Sequence, residues 1–254
     1  MSVASAIYAV ETHGLIKEFA GFRAVNGVDL RLEAGKVHAL VGPNGAGKTS
    51  LFNVLTGFLK PTAGRVMMLG EDTTGLPPEH IARRGVARSF QITSLFDQLT
   101  ALEHAELALQ AASALGYRFW ASERTLVRYQ LRSRELLADV GLADVANRPA
   151  GKLPYGQKRA LELALAIALD PRLLLLDEPT AGMGVEDIRR TIELIRAARS
   201  GRTVVLVEHN MGVVAELADQ VIVLQQGRVI AQGSYAAVRE DPAVVTAYLG
   251  QAHA

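Results

Sequence analysis

Cysteine is missing from all 254 residues. That excludes a disulfide scaffold, thiolate-bound zinc and thiol catalysis, and an intracellular, reducing compartment fits. Charge of one sign is missing too. The 27 Lys and Arg stand against 26 Asp and Glu, a net of +1, without the basic excess typical of a bare nucleic-acid binder. No apolar run approaches the roughly 18–20 residues that span a bilayer, so any membrane role is expected to be peripheral and to run through a partner. Residues 1–14 carry no Lys or Arg and no apolar stretch of the kind a secretory leader needs. Internal repeats and low-complexity segments are also absent. What remains is 49% apolar and 21% charged, the composition of a globular protein with a sizeable core. Its length suits one large domain or two small ones.

Short apolar runs at 37–41, 173–176, 203–207 and 220–224 each end in a turn or polar residue. Runs of that length read as strands buried on both faces. Helical patterns at 48–56, 157–169, 185–199 and 211–218 alternate with them, which predicts an α/β fold with a parallel sheet. Residues 7–36 and 64–70 are strand-rich without intervening helices and predict a small antiparallel element. Residues 100–148 hold no strand-like run; 101–114 and 122–140 read as a helical insertion, with Leu126, Leu136, Leu137 and Val140 among the apolar positions.

Gly42-Pro43-Asn44-Gly45-Ala46-Gly47-Lys48-Thr49 matches G-x-x-x-x-G-K-[ST], the phosphate-binding P-loop. Composition alone produces that pattern in roughly 0.4% of sequences this long, and here a buried strand precedes it and a helix follows. The glycines let backbone N–H groups close on phosphate, and the helix N-terminus faces the same anion. Lys48 is the candidate for the β- and γ-phosphates and Thr49 for Mg²⁺. Ser50 completes the candidate nucleotide-binding set. Leu173-Leu174-Leu175-Leu176-Asp177-Glu178 supplies a second nucleotide motif. Asp177, at a strand's C-terminal end, is placed to orient the Mg²⁺ shell through water. Glu178 is the candidate general base toward an attacking water. The competing reading is that Asp-Glu-Pro-Thr caps a helix.

A P-loop alone does not choose among kinases, GTPases, helicases and transporters. Leu153-Pro154-Tyr155-Gly156-Gln157 resembles the signature motif of ATP-binding cassette (ABC) ATPases, and residues 153–180 resemble that family throughout. The resemblance extends to Gln91, matching the Q-loop glutamine, to His209, matching the switch histidine, and to Phe19, matching the aromatic that stacks on adenine. Ala87-Arg88-Ser89-Phe90-Gln91, Leu95-Phe96 with Leu99-Thr100-Ala101-Leu102-Glu103, and Ala247-Tyr248-Leu249-Gly250 make the protein most similar to the larger ATPase subunit of branched-chain amino acid importers. Urea and other small-solute importers share much of this pattern.

The resemblance implies one ABC ATPase domain over 1–254. Residues 1–91 and 166–254 would form the nucleotide-binding core, and 92–165 a helical subdomain carrying the signature. It implies ATP and Mg²⁺ as cofactors, with Gln91 joining Thr49 and Asp177 at the metal and His209 on the γ-phosphate. It implies a head-to-tail dimer, with itself or a paralogue, in which Gly156 serves the partner's nucleotide. That expectation agrees with a signature helix starting at Gly156, whose free N–H groups form an anion site. The implied partners are membrane permease subunits and, indirectly, an extracytoplasmic solute-binding protein, with no nucleic acid. The implied location is the cytoplasmic face of the inner membrane.

Two residues depart from the family pattern. Pro154 stands where Ser is usual, and Gly184 where many members carry the D-loop Asp. The competing function is a soluble ABC ATPase acting on ribosomes or nucleic acid. Such proteins usually carry two cassettes or long coiled coils, and this sequence has neither. His13, His38, His80, His104 and His253 read as structural or surface histidines, and Trp120 as packing or capping the helical insertion.

Overall fold

The computed structural model describes residues 8–89, 95–112 and 123–249. Two sheets organise the protein. Strands β1 (Tyr8–Phe19), β2 (Phe22–Glu33), β4 (Ala63–Met68) and β5 (Glu71–Asp72) form an antiparallel sheet in the order β2-β1-β4-β5. Strands β3 (Val37–Val41), β6 (Val86–Arg88), β7 (Leu173–Asp177), β8 (Thr203–Val207), β9 (Gln220–Gln225) and β10 (Arg228–Gly233) form the central sheet in the order β10-β9-β3-β8-β7-β6. All its pairings are parallel except β9–β10.

Every residue of β3, β7 and β8 is buried, the polar His38, Asp177 and Thr203 included, as happens when helices or a second sheet cover both faces of Val/Leu-rich strands. Alternate residues serve different layers. Leu173 and Leu175 pack with the antiparallel sheet and with Leu51, Phe52 and Leu55 of α1 (Lys48–Leu55). Leu174 and Leu176 pack with the helices of the opposite face, α6 (Val185–Ala198) and α7 (Met211–Leu217). The short α2 (Pro78–Ala82) leads into β6.

A third core lies among α3 (Ala101–Ala112), α4 (Glu123–Asp139), α5 (Tyr155–Ala168) and the segment between α4 and α5, which adds Val140, Leu142, Ala146, Ala150 and Leu153. Leu136, Leu137 and Val140 are buried in it as expected; the side chain of Leu126 and all of Trp120 lie outside the described residues. Helix α5 serves two cores, with Leu161 and Ala164 turned to the helices and Leu163 and Ala166 to the central sheet. The fold ends through α8 (Tyr235–Glu240) and α9 (Pro242–Leu249).

Several element ends differ by a residue from expectation, and three differences bear on the site or the fold. Helix α5 starts at Tyr155, so the helix expected to begin at Gly156 or 157 gains a residue or two, with Pro154 as its N-cap. Proline is well suited to a helix entry because the first N–H groups need no intrahelical partner. The strand expected over 86–90 spans Val86–Arg88, and Phe90 lies outside the described residues. Strand β10 has no counterpart among the expected elements. Its hairpin with β9 turns through Gln226 and Gly227, both left-handed at φ 47° and 73°, the geometry that matches the twist of paired strands.

Candidate nucleotide site

The strand order β3-β8-β7 sets the C-terminal ends of three parallel strands side by side, where open α/β sheets bind ligands. The P-loop leaves β3, His209 follows β8, and Asp177 ends β7.

The loop is clamped by backbone on both sides. Gly227 N–H donates to Ala46 O at 2.9 Å, and Asn26 N–H donates to Gly227 O at 2.8 Å, tying the loop to the β9–β10 turn and to β2. A Cβ on Gly42 would run into the carbonyl oxygen of Leu224, and one on Gly47, at φ 100°, into that of Ala24. Only glycine fits either place. Ala46 is buried, Asn44 and Gly45 are exposed, and Thr49 and Ser50 begin α1 at the surface and half-buried. Lys48 is 6% exposed, and its Nζ donates to the carbonyls of Gly42 and Pro43 at 2.7 and 3.0 Å. Burial lowers its pKa from the ordinary amine value, and the charge of Glu178 works against that shift. An ammonium has three donors, so one remains beyond the two carbonyls. Tyr248 of α9 reaches the same loop. Burial raises its phenol, and a hydrogen bond with the Gly42 backbone partly opposes the rise.

Asp177 is 1% exposed. Its Oδ2 accepts from Arg88 Nη2 at 2.7 Å, while Oδ1 is buried without a hydrogen-bond partner among the described residues. A buried carboxylate oxygen with an unused lone pair is rare in a native protein and fits a hydrated cation. Among the described residues no group of three His, Cys, Asp or Glu forms a metal cage. Mg²⁺ held by one carboxylate, a hydroxyl, waters and substrate phosphates needs none.

Glu178 adopts a left-handed backbone at φ 48°, an uncommon state for a residue with a side chain and one that recurs at functional sites. Its Oε1 lies 2.9 Å from His209 Nε2. No helix begins here; the next, α6, starts seven residues on with Gly184 as its N-cap. The capping reading of Asp-Glu-Pro-Thr therefore has no helix to cap.

Glu208 is a further residue of the site, with no motif to mark it in the sequence. It is 3% exposed. Its Oε1 accepts from Thr180 N and Oγ1 at 3.0 and 2.6 Å, and its Oε2 from the backbone N–H of His209 and Asn210 at 3.0 and 3.3 Å. One carboxylate thus pins the loop after Glu178 to the segment bearing His209. Only the short span between Val207 and His209 hinted at it.

Pro154 accepts the helical bond from Lys158 N–H at 3.0 Å, so the N–H groups of Tyr155, Gly156 and Gln157 head the signature helix. The carboxylate of Asp187 packs on Gly156; a Cβ there would lie 2.5 Å from its Cγ. Any larger residue here would first have to displace the Asp187 side chain within this subunit, apart from any partner. Tyr155 Oη donates to Ala181 O at 3.0 Å and accepts from Arg159 Nε at 3.1 Å. Phe19 sits at the β1–β2 turn, 42% exposed, with Lys17 Nζ 4.9 Å above its ring. Gln91 lies outside the described residues. His38 and His104 are buried and hydrogen-bonded, to Gln220 and the Glu33 carbonyl and to Phe96 N–H and the Thr100 carbonyl, in keeping with structural roles.

The ABC transporter family model matches residues 25–181, and a model described as branched-chain amino acid ATP-binding cassette transporter matches residues 228–254. The protein is 41% identical to the high-affinity branched-chain amino acid transport ATP-binding protein BraF of Pseudomonas aeruginosa, over 96% of this chain and 98% of that one. It is 39% identical to LivG, of the same description, from Escherichia coli, again over 96% and 98%. An ATP-binding cassette solved in its ADP conformation superposes with a TM-score of 0.83 at 29% identity, covering 96% of this chain and 100% of that one. A bacterial ABC transporter cassette solved as a dimer gives 0.76 at 27% identity, over 89% and 98%. A P-loop, an aspartate-ended strand and a signature helix on one sheet, in a protein with these relatives, place it in the ABC transporter family, as an ATP-binding, ATP-hydrolysing subunit.

Proposed function

We propose that this protein energises uptake of branched-chain amino acids through separate membrane permease subunits, as one half of a head-to-tail ATPase dimer at the cytoplasmic face of the membrane. The observation that supports the choice of solute is the match of residues 228–254 to the family model for branched-chain amino acid transporter cassettes, in a protein 41% identical to BraF. Among the described residues no helix is long and apolar enough to cross a membrane, so the permeases must supply the path. An extracytoplasmic binding protein would deliver the solute to them.

In this reading Lys48 and the backbone N–H groups of residues 44–50 bind the ATP phosphates, and Phe19 stacks on adenine. Thr49, Gln91 and, through water, Asp177 hold Mg²⁺, which when bound offsets charge on the β- and γ-phosphates. Glu178 takes a proton from the attacking water, and His209, already hydrogen-bonded to Glu178, steadies it and contacts the γ-phosphate. Gly156 and the α5 N-terminus contact the nucleotide held by the other subunit, whose charge the helix dipole favours. Pro154 has no hydroxyl to add, which leaves that contact to backbone N–H groups. Gly184 brings no side chain to the dimer interface.

The deciding experiment co-expresses the protein with its co-purifying permeases and reconstitutes them in liposomes. ATP-dependent uptake of leucine, isoleucine or valine, lost with Lys48→Ala, is expected. ATP hydrolysis without uptake of any of the three overturns the assignment of solute.

The trans role of Gly156 has its own test. Gly156→Asp puts a second carboxylate beside Asp187 and against the partner's phosphate. Nucleotide binding by the isolated subunit should be spared, and turnover of the assembly should fall by at least about 10²-fold, the scale of losing preorganised phosphate contacts. Adding Asp187→Ala relieves the clash within the subunit. If the double variant recovers turnover, Gly156 does not face the nucleotide.

A further inference from the structure

Arg88 ends β6, the edge strand of the central sheet, and is the point at which that sheet, α1 and Asp177 meet. Its side chain is 11% exposed and that of Asp177 1%. Nη2 donates to Asp177 Oδ2 at 2.7 Å. Nη1 donates to Asn53 Oδ1 at 2.7 Å and to Thr56 Oγ1 at 2.8 Å, at the C-terminal end of α1. The guanidinium carbon lies 5.1 Å from the ring centroid of Phe52 and 5.3 Å from that of Phe58. A planar fork with several fixed donors and aromatic-stacking faces satisfies all of these partners; a Lys ammonium, a point charge on a flexible stem, does not.

This cage has consequences for Asp177. A carboxylate so buried needs a counter-charge, and Arg88 supplies one through Oδ2 alone. The charge-assisted bond restrains rotation of the carboxylate, and Oδ1 has no hydrogen-bond partner among the described residues. The same guanidinium grips α1, the helix whose first turn carries Lys48 and Thr49. One side chain that the mechanism above does not use thus bridges the Asp177 carboxylate and the Thr49 helix, over the apolar packing of Leu173 and Leu175 on Leu51, Phe52 and Leu55.

We propose that Arg88 is a positioning residue for Mg²⁺-dependent nucleotide binding. It holds Asp177 in one rotamer, leaves Oδ1 as the oxygen offered to the hydrated cation, and ties that oxygen to the helix bearing Thr49. The inference rests on the ATPase reading, and its test separates the two.

The full-length protein and its Arg88→Met, Arg88→Lys and Asn53→Ala variants are titrated with ATP by calorimetry, in EDTA and then across a range of Mg²⁺. In EDTA all variants should match wild type, because the hydrogen bonds of Arg88 and Asn53 run to each other, Thr56 and Asp177, while Lys48 is held by the Gly42 and Pro43 carbonyls. The Mg²⁺ midpoint should rise by about 10- to 100-fold in Arg88→Met, the usual cost of losing a residue that orients a metal ligand. Arg88→Lys should lie close to it. Asn53→Ala, which removes one anchor and keeps the ion pair, should shift the midpoint about two- to five-fold, the worth of one hydrogen bond. General destabilisation would instead weaken binding in EDTA as well, and that result would overturn the proposal. So would wild-type Mg²⁺ midpoints in Arg88→Lys and Asn53→Ala, which decide the matter even if Arg88→Met does not fold. If wild type itself gains no affinity from Mg²⁺, the ATPase reading fails first.

Discussion

Replacing Lys48 by Ala is expected to abolish ATP hydrolysis, a loss of at least about 10²–10³-fold on the scale of removing one preorganised donor from a reacting oxyanion, and to weaken nucleotide binding. Lys48 is 6% exposed, and its amine is anchored beneath the P-loop by two backbone carbonyls. Burial disfavours its charge, and Glu178 offers partial relief. In the proposed reading, arriving phosphates would add counter-charge to that of Glu178, so nucleotide binding and the protonation of Lys48 would support one another. Lys48→Met keeps the apolar stem and separates charge from packing. It should melt near the wild-type temperature and hydrolyse no better than Lys48→Ala. Calorimetry and a phosphate-release assay read both effects, and near-normal turnover in either variant would remove the P-loop assignment.

Glu178→Gln should leave ATP binding intact and cut turnover by about 10²-fold or more, as expected for a lost general base. The substitution is close to isosteric. Its amide oxygen can still accept from His209 Nε2, so the 2.9 Å contact and the left-handed backbone need not change. What disappears is the ability to take a proton from water. The variant should therefore trap an ATP-bound dimer, visible as a larger species by size-exclusion chromatography with ATP and not with ADP. Hydrolysis at the wild-type rate would mean that Glu178 only holds the loop in shape. Because Glu208 grips that loop through four hydrogen bonds, Glu208→Gln offers a contrast. It should disturb the relative placement of Glu178 and His209, and should lower thermal stability where Glu178→Gln does not.

Much of this site follows from local pattern. Largely apolar runs of four or five residues that lead into Gly42, Asp177–Glu178 and Glu208–His209 are strands buried on both faces. Parallel strands then bring their C-terminal ends together. The P-loop spacing carries its own chemistry, since Gly42 and Gly47 stand where a Cβ would strike the carbonyls of Leu224 and Ala24. The helical insertion was legible from the lack of strand-like runs, and Leu136, Leu137 and Val140 are indeed in its core. Strand β10 escaped notice because Arg228–Gly233 mixes polar and apolar residues at a sheet edge, where burial no longer imposes a strong pattern.

The sequence by itself therefore determined the fold class, the order of the motifs and the residue types available to phosphate, metal and water, because each depends on neighbours a few positions apart. The tertiary structure alone decided how those residues are held. Arg88 meets Asp177 across 89 positions, Glu178 meets His209 across 31, and Thr180 meets Glu208 across 28. Asp187 rests on Gly156 from another helix. No periodicity encodes such pairs: they exist because parallel strands of the same sheet place distant segments side by side, and a buried charge there must find its partner in whatever element packs against it.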